Sequence, residues 1–295
     1  MGDSTFQNSG CVNTILGSLN QLSAFLPLVY RTDMTTTLNR KYSVLADVQP
    51  TSTPKLMYFG VGLNGYICAG GTNLPMHNKR LPDGRNMDLY APIPIRMRRW
   101  GEDLSFEERK MYRMRAIREI DGEKYICYYL KVIDWDTNNV DIIRCNSDGS
   151  EDNYAFENRF LNPSPTDQQV TGGALTSADR IVVRALGRCG VNMSELSEAM
   201  NIIYGLDYCT ISEFGFYTGY DVYVNDDEVL VANVDVSQMD DDDTDTDHTD
   251  YSQFNMEAAY VQLAKHKTQL PIALDSANSE LVTQVSFEAS NSISI

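Results

Sequence analysis

The sequence contains few of the residues that build metal centres and catalytic sites. Its 3 histidines are His77, His248 and His266, and its 6 cysteines are widely spaced. No two cysteines form a C-x-x-C pair, and no histidine lies beside a cysteine at the spacing of zinc ligands. The chain also lacks the G-x-S-x-G and H-E-x-x-H motifs of hydrolases and metalloproteases. We therefore expect no enzymatic activity, no cofactor and no bound metal, and we name no catalytic residue.

The cysteines mostly lie in apolar, strand-like runs, where a free thiol behaves as a small hydrophobic side chain. We expect them to be reduced and buried, as is typical of proteins that assemble in the cytoplasm. They are Cys11, Cys68, Cys127, Cys145, Cys189 and Cys209.

Basic residues are also scarce. Only 24 Lys and Arg oppose 41 Asp and Glu, which gives a net charge of −17. A protein that binds duplex nucleic acid needs an excess of cations, and so does one that binds an anionic membrane surface. No apolar run reaches the length of a membrane span, and the N-terminus lacks the pattern of a signal peptide. These shortages argue against nucleic acid and membrane as partners.

Strand patterns dominate the rest of the chain. The run Ile211–Gly219 is apolar and aromatic, and a polar turn separates it from a second apolar run at Val229–Ala232. We interpret the two runs as the central hairpin of the core. Gly215 marks a bulge or a close approach of another backbone, and Gly219 is expected to begin the turn.

Further strands are predicted around this hairpin, and only a few short helices are predicted beside them. The fold class is therefore mainly β, an antiparallel β-sandwich with extended N- and C-terminal arms. The predicted strands are Leu56–Phe59, the hairpin around Asp121-Gly122 with its return strand to Ile133, Val140–Arg144 as the third strand of the same meander, Asp179–Leu186, Phe254–His266 and Leu281–Glu288. The predicted helices are Ile15–Leu26, a turn capped by Ser105 and Glu108, and Ser194–Tyr204 with Gly205 as its C-terminal cap.

The central hairpin also resembles a known family. The sequence ISEFGFYTG, followed by an acidic turn and VLVANV, is similar to a hairpin of tailed-bacteriophage tail-fibre attachment and baseplate-associated proteins. The resemblance covers residues 211–234. It implies a structural subunit of a virion, in the baseplate, neck or fibre-attachment region, which is assembled in the host cytoplasm. Its partners would be copies of itself and other virion proteins.

The expected organisation has three parts. Residues 1–54 form an N-terminal arm with one short helix and an extended connector. Residues 55–270 form the sandwich core, which includes an acidic loop at 235–250. Residues 271–295 form a C-terminal extension, whose last strand could add to the sheet edge of a neighbouring subunit.

The segment Arg96–Arg118 is the one basic region of this acidic chain, with eight basic residues against four acidic ones. One interpretation is a solvated helix face with weak internal ion pairs. The other is an electrostatic contact with an acidic patch on a neighbouring subunit. On the second interpretation the interface candidates are Arg96, Arg98, Arg99, Arg109, Arg113 and Arg115, joined by the aromatic residues Phe214 and Tyr217.

Two further motifs suggest ligands. Gly60, Gly62 and Gly65 spell G-x-G-x-x-G after a strand, but the residues that follow favour a strand rather than the helix that a dinucleotide site requires. The run Asp240–Asp250 holds seven aspartates among eleven residues. It lacks the Gly and the closing Glu of an EF-hand, so a solvated acidic loop is expected, with an irregular calcium site as the alternative.

Three other functions remain open at this point. A receptor- or carbohydrate-binding β module would also be rich in strands and tyrosines. An enzyme could be a nucleotide-dependent one that uses the glycine motif. It could also be a cell-wall hydrolase, but the sequence singles out no pair of carboxylates among its 41 acids.

Overall fold

The computed structural model describes residues 10–25, 37–48, 53–68, 75–77, 88–146, 148–153, 180–206, 209–224, 255–274 and 280–290. The elements in these ranges are β1 (Gly10–Asn13), α1 (Ile15–Phe25), α2 (Leu38–Tyr42), β2 (Lys55–Gly62), β3 (Tyr66–Cys68), β4 (Pro75–His77), β5 (Pro92–Ile93), β6 (Arg96–Arg99), α3 (Phe106–Arg109), β7 (Tyr112–Ile120), β8 (Glu123–Val132), β9 (Asp134–Cys145), β10 (Glu151–Asn153), β11 (Arg180–Asn192), α4 (Met193–Tyr204), β12 (Cys209–Val224), β13 (Asn255–Leu274) and β14 (Glu280–Ser290).

Strands make up most of this list, and the pairings resolved between them are antiparallel. The predicted mainly β fold with antiparallel sheets and a few short helices is therefore confirmed. The chain divides into two units, and each contains one of the two larger sheets. Unit 1 comprises Met1–Val132 and Val191–Leu281, and unit 2 comprises Ile133–Gly190 and Val282–Ile295. This division differs from the predicted boundaries, because unit 2 begins inside the expected core.

The sheet of unit 1 has eight strands. Its order is β1-β13-β12-β2-β8-β6, while β5 pairs with β2 and β7 with β8. The longest pairing joins β12 to β13, so the stretch Ile211–Thr218 does lie at the centre of a sheet. Gly219 does not begin a turn, since it pairs with Lys55 and β12 continues to Val224. The predicted second strand, Val229–Ala232, lies outside the described residues.

Two glycines in adjacent strands make room for a buried tyrosine. Gly215 of β12 pairs with Gly60 of β2. A Cβ atom on Gly215 would lie 2.7 Å from the ring of Tyr217, and one on Gly60 would lie 3.4 Å from it. The predicted close approach at Gly215 is therefore made by an aromatic side chain two residues along the same strand. The ring lies over the two glycines, and its hydroxyl donates a hydrogen bond of 2.7 Å to Asp88.

The helix α1 forms where the spacing of leucines predicts it, and it packs directly on β13. A Cβ atom on Gly17 would lie 2.5 Å from the carbonyl oxygen of Ala264, so only glycine allows this approach. The backbone N–H of Thr14 donates to the same carbonyl oxygen at 2.8 Å. The side chain of Leu16 is buried.

A second helix, α2, lies in the segment that was predicted to be an extended connector, and that prediction is wrong here. Leu38 and Tyr42 are buried, and the amide of Asn39 hydrogen-bonds to β13. The side-chain nitrogen donates to Ala258 at 2.8 Å, and the side-chain oxygen accepts from the N–H of Val261 at 2.7 Å. A polar side chain thus docks the helix on the sheet, which a search for apolar periodicity does not detect.

The hairpin of β7 and β8 is confirmed. Asp121 and Gly122 have positive φ angles of 53° and 83°, as a two-residue hairpin turn requires. The capping box of Ser105 and Glu108 is present at α3. Gly205 ends α4 with φ 67°, so the predicted helix and its C-cap are also confirmed.

The four-stranded sheet of unit 2 has the order β10-β9-β11-β14. The predicted strand Val140–Arg144 is part of β9, but it pairs with β10 and β11 and does not continue the β7–β8 hairpin. The predicted terminal strand forms β14, which is the last strand in this order. Side-chain alternation predicts a strand but carries no information about its partner.

Candidate functional site

Five of the eight predicted interface residues are buried inside their own chain. Arg109, Arg113 and Arg115 are 4%, 2% and 6% exposed, and Phe214 and Tyr217 are each 1% exposed. The prediction that these side chains form an interface is therefore wrong. The solvated-helix interpretation fails too, because α3 ends at Arg109 and β7 carries the next two arginines. Both interpretations missed the carboxylates that come from distant parts of the chain.

Arg113 makes a two-point ion pair with Asp221 of β12. Its Nε donates to Oδ1 at 2.7 Å, and its second amino group donates to Oδ2 at 3.1 Å. The remaining amino group donates to the carbonyl oxygens of Arg109, Lys110 and Tyr112 at 2.8–3.1 Å. The second amino group also lies 3.6 Å from the sulfur of Met256, so all five N–H groups of the guanidinium are directed at the protein, as a buried arginine requires.

A tyrosine hydroxyl completes this pair and three similar ones. Tyr58 donates to Asp221, and Tyr128 donates to Asp103, which also binds Arg115; each of these two bonds is 2.7 Å long. Asp88 accepts from Lys41, Tyr42 and Tyr217, and Glu195 accepts from Tyr112 and lies 3.8 Å from Lys131.

Burial is the largest factor that raises the pKa of Tyr42, Tyr58, Tyr112 and Tyr128, so these hydroxyls remain protonated donors. These tyrosines therefore stabilise the fold.

Glu213 lies at the centre of another buried network. Its Oε2 accepts from His266 Nε2 at 3.0 Å and from the backbone N–H of Tyr90 at 2.9 Å. Its Oε1 accepts from the N–H of Asn64 at 2.7 Å and of Ala91 at 3.3 Å. Burial raises the pKa of Glu213, but the bonds from His266 and the backbone outweigh it, so the pKa lies below its ordinary value. The carboxylate thus fastens two loops to β12.

The remaining predicted interface residues, Arg96, Arg98 and Arg99, lie on β6, where Arg99 is exposed and the other two are half-buried. Beside β6 and α4 is an open groove of about 570 Å³. Arg96 and Arg98 approach Glu198 of α4 at 3.5 Å and 3.9 Å. The groove is lined by Arg98, Arg99, Glu102, Tyr125, Ser194, Ser197, Glu198, Asn201 and Ile202. We call it the β6–α4 groove.

The glycine motif does not form a dinucleotide site in this structure. Gly60 and Gly62 lie in β2, and the strand β3 follows Gly65 where a helix would be required. A Cβ atom on Gly65 would lie 2.0 Å from the carbonyl oxygen of Ser212, and the Ser212 hydroxyl accepts from the Gly65 N–H at 2.9 Å. These glycines let the turn pack against β12.

Three cysteines, Cys127, Cys145 and Cys189, are free and buried, as predicted. Burial raises the pKa of the Cys127 thiol to about 12. The side chains of Cys11, Cys68 and Cys209 and of His77 lie outside the described part, as do His248 and the acidic run Asp240–Asp250. Among the described residues, no group of three or more His, Cys, Asp or Glu could hold a metal ion. None of the described helices has the length and hydropathy to span a membrane.

Comparison with known proteins gives one match. The search of curated proteins and the search of solved structures each found none. The model of a family of unknown function (DUF7208) matches residues 1–237. Because this match covers more than half of the 295 residues, the chain belongs to the DUF7208 family.

Proposed function

We propose that the chain is a non-enzymatic structural subunit of a tailed-phage virion, from the baseplate, neck or fibre-attachment region. It acts through contacts with copies of itself and with other virion proteins, in a particle that is assembled in the host cytoplasm. The resemblance of residues 211–234 supports the virion part of the proposal. One feature of unit 2 supports the assembly part.

That feature is a sheet with apolar side chains on both faces. On one face of unit 2, Ile143, Cys145 and Val182 form a buried cluster. On the opposite face Val140 and Val183 are 51% and 40% exposed. Ala185 and Ile142 lie on the same face as the two valines, because Val140 pairs with Ala185 and Val183 pairs with Ile142. We call this surface the β9–β11 face.

Contiguous apolar surface of this kind marks protein–protein contacts more often than scattered apolar residues do. Burying the exposed part of a valine gains up to about 1 kcal/mol, since full burial is worth roughly 1.5 kcal/mol or more. Because two such valines lie next to Ile142 and Ala185, contact of this surface with a partner subunit is energetically favoured over contact with water.

The assembly part is tested with the purified full-length chain. We expect light scattering to show self-association that increases with concentration. Val140→Asp and Val183→Asp should each weaken it, because a carboxylate would then be buried at the contact. Asn153→Asp is the matched control, since it adds the same charge to an exposed position of the same sheet. Equal association of all four proteins would contradict the role of the β9–β11 face.

The virion part requires a separate experiment. Mass spectrometry of density-purified phage particles should find this chain in a constant ratio to the tail proteins. Recovery of the chain from the infected-cell lysate but not from the particles would overturn the assignment. The same purified chain, applied to a glycan array, addresses the carbohydrate-binding alternative, for which we expect no bound glycan.

A further inference from the structure

The strand β14 forms one edge of the sheet in unit 2, and it is much longer than the other strands that end a sheet. In the order of the two larger sheets, the terminal strands β1, β6 and β10 contain 4, 4 and 3 residues, whereas β14 contains 11. Among the described residues, β14 has β11 as its one strand neighbour. Alternate N–H and C=O groups of an edge strand point away from the sheet, so a long edge offers many hydrogen-bond partners to another strand.

Other edge strands of this chain are protected against such pairing. The opposite edge of the same sheet, β10, consists of three exposed residues, two of which are acidic. The longer strand β7, which pairs with β8, carries four charged residues. The carboxylate of the buried Glu257 also accepts from the N–H groups of Met114 and Arg115 in β7, at 2.7 Å and 3.2 Å. Short length, charge and occupied N–H groups are common ways to prevent the pairing of edges.

The sequence of β14 has none of these protective features. Its central stretch Leu281–Phe287 contains no charged residue, no proline and no glycine. It is composed largely of residues that favour strands, among them two valines, a threonine and a phenylalanine. An uncharged edge of this kind pairs readily with another strand. Of the edges compared here, β14 is therefore the one suited to extend a sheet.

The length of β14 selects its partner. A strand of 11 residues is matched in full by a strand of similar length, and the terminal strand of a second copy that meets this condition is β14 itself. Antiparallel pairing about a two-fold axis at Val285 covers both edges in one isologous contact. In this register Glu280 and Glu288 each lie opposite a neutral residue, so no two acidic residues face each other.

We infer that two copies of the chain pair through their β14 strands, antiparallel and centred on Val285, so that the two four-stranded sheets form one continuous sheet. An antiparallel pair of this length forms about ten hydrogen bonds between the two backbones. The inference rests on the proposed function, because it specifies one contact through which copies assemble. The contact uses an edge of the sheet and is therefore separate from the β9–β11 face.

The experiment places like or opposite charges across the two-fold axis. In the proposed register, residue 284 of one copy faces residue 286 of the other. Gln284→Lys/Ser286→Lys therefore sets lysine against lysine, and Gln284→Glu/Ser286→Glu sets glutamate against glutamate. Like charges directly opposite each other are destabilising, whereas opposite charges attract. We expect each double variant alone to associate about tenfold more weakly than the wild type, and a 1:1 mixture of the two to recover the association. Analytical ultracentrifugation of the full-length chains at low salt measures the dimer.

The matched control mixes Asn153→Lys with Asn153→Glu, which places opposite charges on β10 at the other edge of the same sheet. Mixing these two variants should change the association by less than about twofold. A thermal melt shows whether each variant is folded. If a double variant fails to fold, the single variants Gln284→Lys and Ser286→Glu replace it. Their mixture sets one lysine opposite one glutamate and should associate about threefold more tightly than either variant alone.

Three results would overturn the inference: a wild type that stays monomeric, a mixture that associates no more tightly than its components, or an equal gain in the control mixture. Growth of open-ended fibres instead of a dimer would also contradict a closed two-fold contact. If the wild type associates and only Val140→Asp and Val183→Asp weaken the association, the edge inference fails and the proposed function stands. If the charged variants behave as expected but the chain is absent from purified particles, the proposed function fails and the edge inference stands.

Discussion

Two strands that flank β8 carry arginines with opposite environments. On one side, Arg115 of β7 pairs in register with Tyr128, and its side chain is buried beside Asp103. On the other side, Arg96 of β6 pairs with the same Tyr128, and its side chain, which is 15% exposed, lies 3.5 Å from Glu198 of α4. The arginines of β7 make hydrogen bonds of 2.7–3.1 Å, whereas those of β6 approach Glu198 only at 3.5–3.9 Å.

The difference shows that the same residue type in one basic segment can serve two purposes. Arg113 is 108 residues away from Asp221, which binds it inside the fold. The attraction within such a buried pair offsets the cost of removing its two charges from water, and removal of one partner is strongly destabilising. These pairs therefore fix the positions of the strands that they join. The arginines Arg96 and Arg98 of β6 share one carboxylate, that of the more exposed Glu198, at longer distances, so less of the fold depends on them.

The largest effect is expected when Arg113, the most buried of these arginines, is truncated. Arg113→Ala leaves Asp221 and the carbonyl oxygens of Arg109, Lys110 and Tyr112 without their donors. Removing one partner of a buried ion pair costs about 3–5 kcal/mol, so we expect the free energy of unfolding to fall by about 4 kcal/mol. Urea denaturation at neutral pH measures this change. A loss below about 1 kcal/mol would mean that Arg113 contributes no more to the free energy of unfolding than an arginine at the surface does.

Glu213 is a buried carboxylate that is held by a histidine and by backbone N–H groups instead of an arginine. Glu213→Gln places an amide N–H₂ against donors from His266, Tyr90 or Asn64, so we expect a loss of about 2–3 kcal/mol at neutral pH. The pH dependence has a definite sign. Because the folded pKa lies below its ordinary value of 4.5, the carboxylate contributes stability above that value and loses it as the pH falls through the folded pKa.

Urea denaturation at a series of pH values separates this contribution. The wild type should lose more stability between about pH 6 and pH 3 than Glu213→Gln does, because the variant has no titrating group at this position. Parallel curves for the two proteins would mean that other carboxylates cause the acid sensitivity and that Glu213 is not held in its charged form.

A milder change tests the geometry of the buried pairs. Arg115→Lys keeps the charge but replaces two donors on Asp103 with a single ammonium. Asp103 is 26% exposed, so water can satisfy part of its carboxylate, and we expect a loss of about 1–2 kcal/mol. Arg96→Lys is the matched control at the same register position of β8, and its effect should be within about 0.5 kcal/mol. Equal losses would show that the two strands do not differ.

Much of the fold follows from local patterns in the sequence. The turn at Asp121-Gly122, the capping box at Ser105 and the Gly205 cap each depend on residues a few positions apart, so they were predictable. The β-rich composition of the fold was predictable for the same reason, because alternation is a local property. The resemblance to phage proteins remains a prediction.

The pairings were not predictable, because they join residues that are far apart in the sequence. Nothing near Arg113 indicates that Asp221 will neutralise it, so the arginine was interpreted as a surface residue. Nothing in Val140–Arg144 indicates that β9 belongs to a second unit. Asn39, which docks α2 on β13 through its amide, carries no apolar signal at all. The candidate groove was found only in part, through Arg98 and Arg99, because the α4 side chains opposite them lie about a hundred positions away.

The smallest effect is expected in the β6–α4 groove. Arg98→Gln/Arg99→Gln removes two cations from an exposed groove, where ion pairs contribute about 0–1 kcal/mol each. We expect the free energy of unfolding to change by less than about 0.5 kcal/mol, because no hydrogen bond to either guanidinium is present among the described residues. A thermal melt of the full-length chain checks this directly. A loss as large as that of Arg113→Ala would show that Arg98 and Arg99 stabilise the fold as strongly as the buried arginines of β7 do.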